Sequence, residues 1–183
     1  MRSFIVAGIA VLIGGSLHRP VAHAAPAFID NFENGSLVDD DPVSWRSVGG
    51  ELAAVEGAMQ LTPDSAEVMV ALTDWPHTDA RVEMIVEYST AEGQVAPAAL
   101  RKSGLGSGGL YFAGVTRIGE LEIGYVLVDG TIAVTGEGVF LPTGALDPGD
   151  EVSVVAQIVG STITLEGWKT DAGRESNAML SWT

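Results

Sequence analysis

Residues 151–169 read EVSVVAQIVGSTITLEGWK, and this stretch decides the fold. Val152, Val154, Ala156 and Ile158 alternate with Ser153, Val155, Gln157 and Val159, a period of two that turns one set of side chains toward a core. Val159-Gly160-Ser161-Thr162 then places Gly first in a two-residue loop, the signal of a type II′ turn. A tight hairpin of residues 151 to 159 and 162 to 169 follows, and helical periodicity is nearly absent from the rest of the chain.

Working outward, the same period recurs. In Arg81 to Tyr88 the apolar set is Val82, Met84, Val86 and Tyr88, with Arg81, Glu83 and Glu87 on the other face. Glu120 to Val128 sends Leu121, Ile123, Tyr125 and Leu127 inward and leaves Glu120 and Glu122 outward. Asp129-Gly130 is a type I′ signal, and Glu56-Gly57, between Leu52 to Val55 and Ala58 to Thr62, is a weaker version. Counting such runs gives about 11 to 13 short strands, more than one flat sheet normally carries. The expected fold is all-β, a two-sheet antiparallel β-sandwich of jelly-roll type in a single domain, residues 25–183. Lys102 to Gly109 reads as a flexible loop; its spaced glycines lie between strands with no helix to follow, so it is not a phosphate-binding loop.

The N-terminus gives an address. Met1, Arg2 and Ser3 precede an apolar or small run from Phe4 to Leu17, and Ala22-His23-Ala24 is the small-x-small pattern of a signal-peptidase site. Residues 1–24 are read as a signal peptide and the protein as secreted or periplasmic. The run is too short to span a bilayer as a helix, so no membrane span is expected in the mature form. Cleavage removes Arg2 and Arg19 and no acid, leaving seven cations against 24 carboxylates, a net charge near −17. That field excludes nucleic acid as a partner. The absence of cysteine excludes thiol catalysis, Cys-ligated metals and disulfide staples.

The order of features resembles the concanavalin A-like lectin/glucanase superfamily, the laminin-G-like jelly roll, in its secreted bacterial form. The residues that carry it are Ile29-Asp30-Asn31-Phe32-Glu33-Asn34-Gly35, Trp45, Met59-Gln60-Leu61, Val82 to Tyr88, Ala98 to Arg101, Gly109 to Val115, Glu120 to Gly124 and Val159 to Trp168. The resemblance implies a fold shared by lectins, carbohydrate-binding modules, glycosidases and adhesion domains, so it leaves function open.

Three chemistries are weighed. A glycosidase needs two carboxylates flanking the bond, and Glu120 and Glu122, about 7 Å apart along one strand face, are the candidate pair. The resembled glucanases use a Glu-x-Asp-x-x-Glu run, whereas Glu120-Leu121-Glu122-Ile123-Gly124-Tyr125 lacks its central Asp and final Glu. Carbohydrate binding needs an exposed aromatic plane with hydrogen-bonding groups. Trp168 shares parity with Thr162, Thr164 and Glu166 on the polar face, unless a bulge at Gly167 turns it into the core; Tyr111 and Arg101 could line the same face. Trp45, Trp75 and Trp182 read as core or edge-covering residues. Calcium is the ion that fits Asp30, Asp39, Asp40 and Asp41, and the resemblance implies such a site at the rim, although three adjacent aspartates also read as a solvated turn. His77 stands alone in a turn and supports neither a triad nor zinc. Asn34-Gly35-Ser36 matches a glycosylation acceptor and reads as a turn. The leading expectation is a secreted, non-catalytic lectin-like module that binds polysaccharide or a cell-surface glycan. The alternatives are a structural or adhesion domain without a small ligand, and a glycoside hydrolase.

Overall fold

The structure, a computed structural model, describes residues 4–12, 26–37, 45–48, 50–63, 70–73, 80–88, 95–102, 110–126 and 132–183. Among these the chain is mostly β-strand, with two short 3₁₀ turns, Thr170–Ala172 and Arg174–Ser176, and the sheets are antiparallel. The described residues form fifteen strands, more than the 11 to 13 expected, because the N-terminal run and several two- to four-residue pieces also pair.

The hairpin at residues 151–169 is realised as read. Strand β13 (Glu151–Val159) pairs with β14 (Thr162–Lys169) from Val152↔Lys169 to Val159↔Thr162 without a bulge. Gly160 sits at φ +57 while Ser161 stays at negative φ, the type II′ combination. The Glu56-Gly57 turn joins β4 (Gly50–Val55) to β5 (Ala58–Pro63) with φ +52 and +78, a type I′ turn in which a glutamate takes the left-handed conformation. Asp129-Gly130 lies outside the described residues, as do Trp75, His77 and the loop 103–109.

The larger sheet has eight strands. Its order runs β15 (Ala178–Trp182), β14, β13, β7 (Ala80–Tyr88), β1 (Phe4–Leu12), β5, β4, with β2 (Pro26–Asp30) also paired to β1. The apolar run read as part of the export signal is therefore, in the full chain, a central strand between β7 and β5. A second sheet of five strands orders β11 (Ile132–Val134), β10 (Glu120–Val126), β9 (Leu110–Thr116), β8 (Val95–Lys102), with β12 (Val139–Phe140) also on β10. Strands β3 (Trp45–Val48) and β6 (Val70–Thr73) pair by themselves.

The core draws on both larger sheets. Val152, Val154, Ala156 and Ile158 of β13, Ile163 and Leu165 of β14, and Met84 and Val86 of β7 form one cluster with Ala113 and Val115 of β9 and Leu121 and Ile123 of β10. Each fully buried aliphatic side chain contributes roughly 1.5–3 kcal/mol of hydrophobic stabilisation. Gly167 lets the two groups approach, since a Cβ there would come within 2.8 Å of Leu121 Cδ2. Two loops lock one end of this core: Leu141 N–H donates to Gly119 O and Leu146 N–H to Arg117 O, with Leu141 and Leu146 buried beneath. Gly119, at φ +79, has the Gly144 carbonyl where a Cβ would be. No helix among the described residues is long and apolar enough to cross a membrane.

Candidate functional site

Strand β10 is the residue source for the candidate site. Its alternation buries Leu121 and Ile123 and leaves Glu120 and Glu122 side by side on the other face, as the pattern predicts. Its outer edge is covered in two pieces: β11 pairs with Gly124–Val126 and β12 with Glu120 and Leu121. Between them residues 135–138 swing away from the strand. Thr135 holds the departure point, its N–H and its hydroxyl both donating to Ile123 O, at 2.8 and 2.7 Å. Gly136 and Gly138 give the segment its turn, and a Cβ at Gly138 would collide with the Glu120 carboxylate, which lies over it.

This detour opens a notch of about 210 Å³. Glu122 lines it from β10, Val134 and Glu137 from the departing chain, and Leu180 and Trp182 from β15. No Lys, Arg or His lines it. Trp182 is half-buried: it packs on the core, its ring lies 5.7 Å from that of Tyr111, and Tyr111 meets Tyr125 edge-on at 6.3 Å. An aromatic group of three thus supports one wall. Glu122 is half-buried too, and burial first, then the neighbouring Glu120 charge, raises its carboxyl above the ordinary glutamate range. The arrangement can receive a small polar group, place an indole against its apolar side and accept hydrogen bonds from its donors.

The residues expected from sequence to share a face are separated. Trp168 lies on the outer face of the eight-stranded sheet, opposite Ser153, and no bulge at Gly167 turns it inward. The guanidinium of Arg174 sits 5.3 Å from its ring centroid, held there by Glu166 through Nε–Oε1 at 3.0 Å and Nη2–Oε2 at 2.6 Å. Asn177 also donates to Glu166, which is only 9% exposed. Arg174 first, then Asn177, holds the Glu166 carboxyl below its ordinary range against the effect of burial. This pair covers one face of Trp168 and fastens the 3₁₀ turns to the sheet, so the indole is half-buried rather than open.

Tyr111 alternates away from Phe112 as read, but it is Tyr111, with Ala113 and Val115, that takes the core side. Phe112 is buried on the other side, over Gly124, where a Cβ would meet its ring. Tyr111 therefore reaches the notch indirectly, through Trp182. Arg101 is placed on β8 opposite Tyr111, next to an irregularity in the pairing. Asp30 ends β2, whereas Asp39, Asp40 and Asp41 lie outside the described residues; no group of three or more metal-ligating side chains occurs among the described ones. Asn34-Gly35-Ser36 forms a turn closed by Ser36 N–H on Asn34 Oδ1.

Trp182 packs against the core from the edge strand β15, in keeping with its reading as a core or edge-covering residue, but sequence reasoning placed neither it nor Glu137 beside Glu122. The signals were Ala178, Leu180 and Trp182 in alternation at the chain's end, and an acid between two glycines just after a strand. Comparisons with protein-family models, with characterised proteins and with solved structures found no match.

Proposed function

We propose that this chain is an exported, non-catalytic jelly-roll module with the architecture of the concanavalin A-like lectins, which binds carbohydrate in the notch beside Trp182. The observation that carries the reading is the convergence of an indole and two glutamates, Trp182, Glu122 and Glu137, on one small concavity. Sugar rings offer an apolar face to an aromatic and hydroxyl donors to carboxylates, and such sites combine both. At about 210 Å³ the notch suits one monosaccharide of a longer polymer. Two sheets contributing to one core support the sandwich architecture, and the N-terminal pattern supports export.

One observation favours a second reading, a glycoside hydrolase. Glu122 holds its proton to higher pH than an ordinary glutamate, the property of a general acid, and Glu137 lines the same notch. The non-catalytic reading ranks first because the Glu120 carboxylate is laid over Gly138, so β10 sends one carboxylate rather than a pair into the notch.

A glycan array probed with the full chain, with calcium and then with a chelator, tests the reading. Selective binding by the folded protein, without release of reducing ends, is the expected result. Reducing-end release abolished in Glu122→Gln would establish the hydrolase instead. Silence across the array under both conditions would leave a structural or adhesion role, and loss on chelation would add a calcium site.

A further inference from the structure

Granting the carbohydrate reading of the notch, we propose that it selects a sugar carrying a positive charge, an unacetylated amino sugar, over neutral and acidic sugars.

Glu122 and Glu137 contribute carboxylates, Glu120 stands beside Glu122, and no cationic side chain lines the notch to balance them. Ionised carboxylates are acceptors only, so Glu122 and Glu137 give the wall a surplus of lone pairs; the side-chain donors among its lining residues are Ser181, Trp182 and the Thr135 hydroxyl, the last committed to Ile123 O. A uronic or sulfated sugar would bring a third negative charge to this wall. A neutral sugar would displace water from the carboxylates and return hydroxyl donors but no charge to balance theirs. An ammonium group returns three donors and a full opposite charge, and charge-assisted bonds of this kind are roughly twice as strong as neutral ones. Trp182 adds a second reason. An ammonium within about 6 Å of an indole face gains from the ring quadrupole, and Trp is the best side chain for it. The same indole that stacks on a sugar ring therefore also favours the cationic member of the class. Long-range charge acts in the same direction, since the chain carries a net charge of −15.

The burial of Glu122 fits a site completed by a cation. An ammonium seated beside it would supply the positive charge that the notch lacks and so oppose the burial and the Glu120 charge that raise its carboxyl pKa.

The test uses the full chain and short glucosamine oligomers, with N-acetylglucosamine oligomers and oligogalacturonate of equal length as comparators. Calorimetric titration at low salt is expected to give at least about tenfold tighter binding of the glucosamine oligomer than of its acetylated form. Glu122→Gln and Glu137→Gln should each remove most of that preference while acetylated-oligomer binding persists. Equal affinity for the two forms, or a preference for the acetylated one, overturns the inference and leaves the carbohydrate reading standing. A preference that survives both substitutions also overturns it, because diffuse surface charge would then be its source. No binding to any oligomer by folded protein removes both this inference and the reading it rests on.

Discussion

Glu166, nearly buried, and Glu122, half-buried, are two carboxylates whose environments push them in opposite directions. Glu166 is ionised against Arg174 and Asn177, and its lowered pKa means the folded state favours the charged form. Its contribution is complete above the unfolded glutamate pKa and is lost as pH falls through the lower folded value. Arg174→Ala is expected to cost about 1–3 kcal/mol at neutral pH, because it strands a nearly buried carboxylate. The loss should shrink in acid, which a urea titration at several pH values would read. Glu122 is the reverse case. Its raised pKa means the folded state holds the proton longer, so stability falls as pH rises from the unfolded value through the folded one. Glu122→Gln should therefore stabilise the protein at neutral pH by a small amount, since the carboxylate is still partly in water, and leave it unchanged in acid. Thermal melts of both proteins across that range check the sign.

At the scale of elements, what was legible from sequence was local. The 151–169 hairpin follows from alternation and Gly160 alone, and the outward placement of Glu120 and Glu122 from alternation in β10. Glu56-Gly57 reads as a weak turn because glutamate at φ +52 is strained, a cost of about 1–2 kcal/mol that Asn or Gly would not incur in full. Glu56→Asn should raise stability by about 0.5–1 kcal/mol, measurable as a shift of the urea midpoint. Trp182 was not legible. Its role depends on β15 joining the edge of β14 and on residues 135–138 leaving β10, and neither is written in local periodicity. Nor was β1, because a nine-residue apolar run reads equally as the centre of an export signal and as a buried strand. Both β7 and β5 run antiparallel to β1, so they are parallel to each other. Removal of residues 1–24 leaves them unable to close as an antiparallel pair. Hydrogen exchange on residues 25–183 is expected to show the β1-facing amides of β7 losing protection relative to the full chain; unchanged protection would mean that another strand fills the place.

The described residues combine an acidic composition, a core shared by two sheets and a notch at a strand edge where the chain departs from its partner. Composition alone leaves no cysteine for thiol chemistry and a net charge of −15, whereas the notch became visible only with the fold. Trp168 looked exposed because its parity with Thr162, Thr164 and Glu166 is real, yet Arg174, six residues on, returns to cover it. The central claim is that carbohydrate binds at Trp182 and not at Trp168, and a glycan titration of Trp182→Ala and Trp168→Ala, each shown to be folded, tests it directly. Binding is expected to be abolished in Trp182→Ala and retained in Trp168→Ala. Binding retained in Trp182→Ala and lost in Trp168→Ala would contradict it and move the site to the outer face of the eight-stranded sheet.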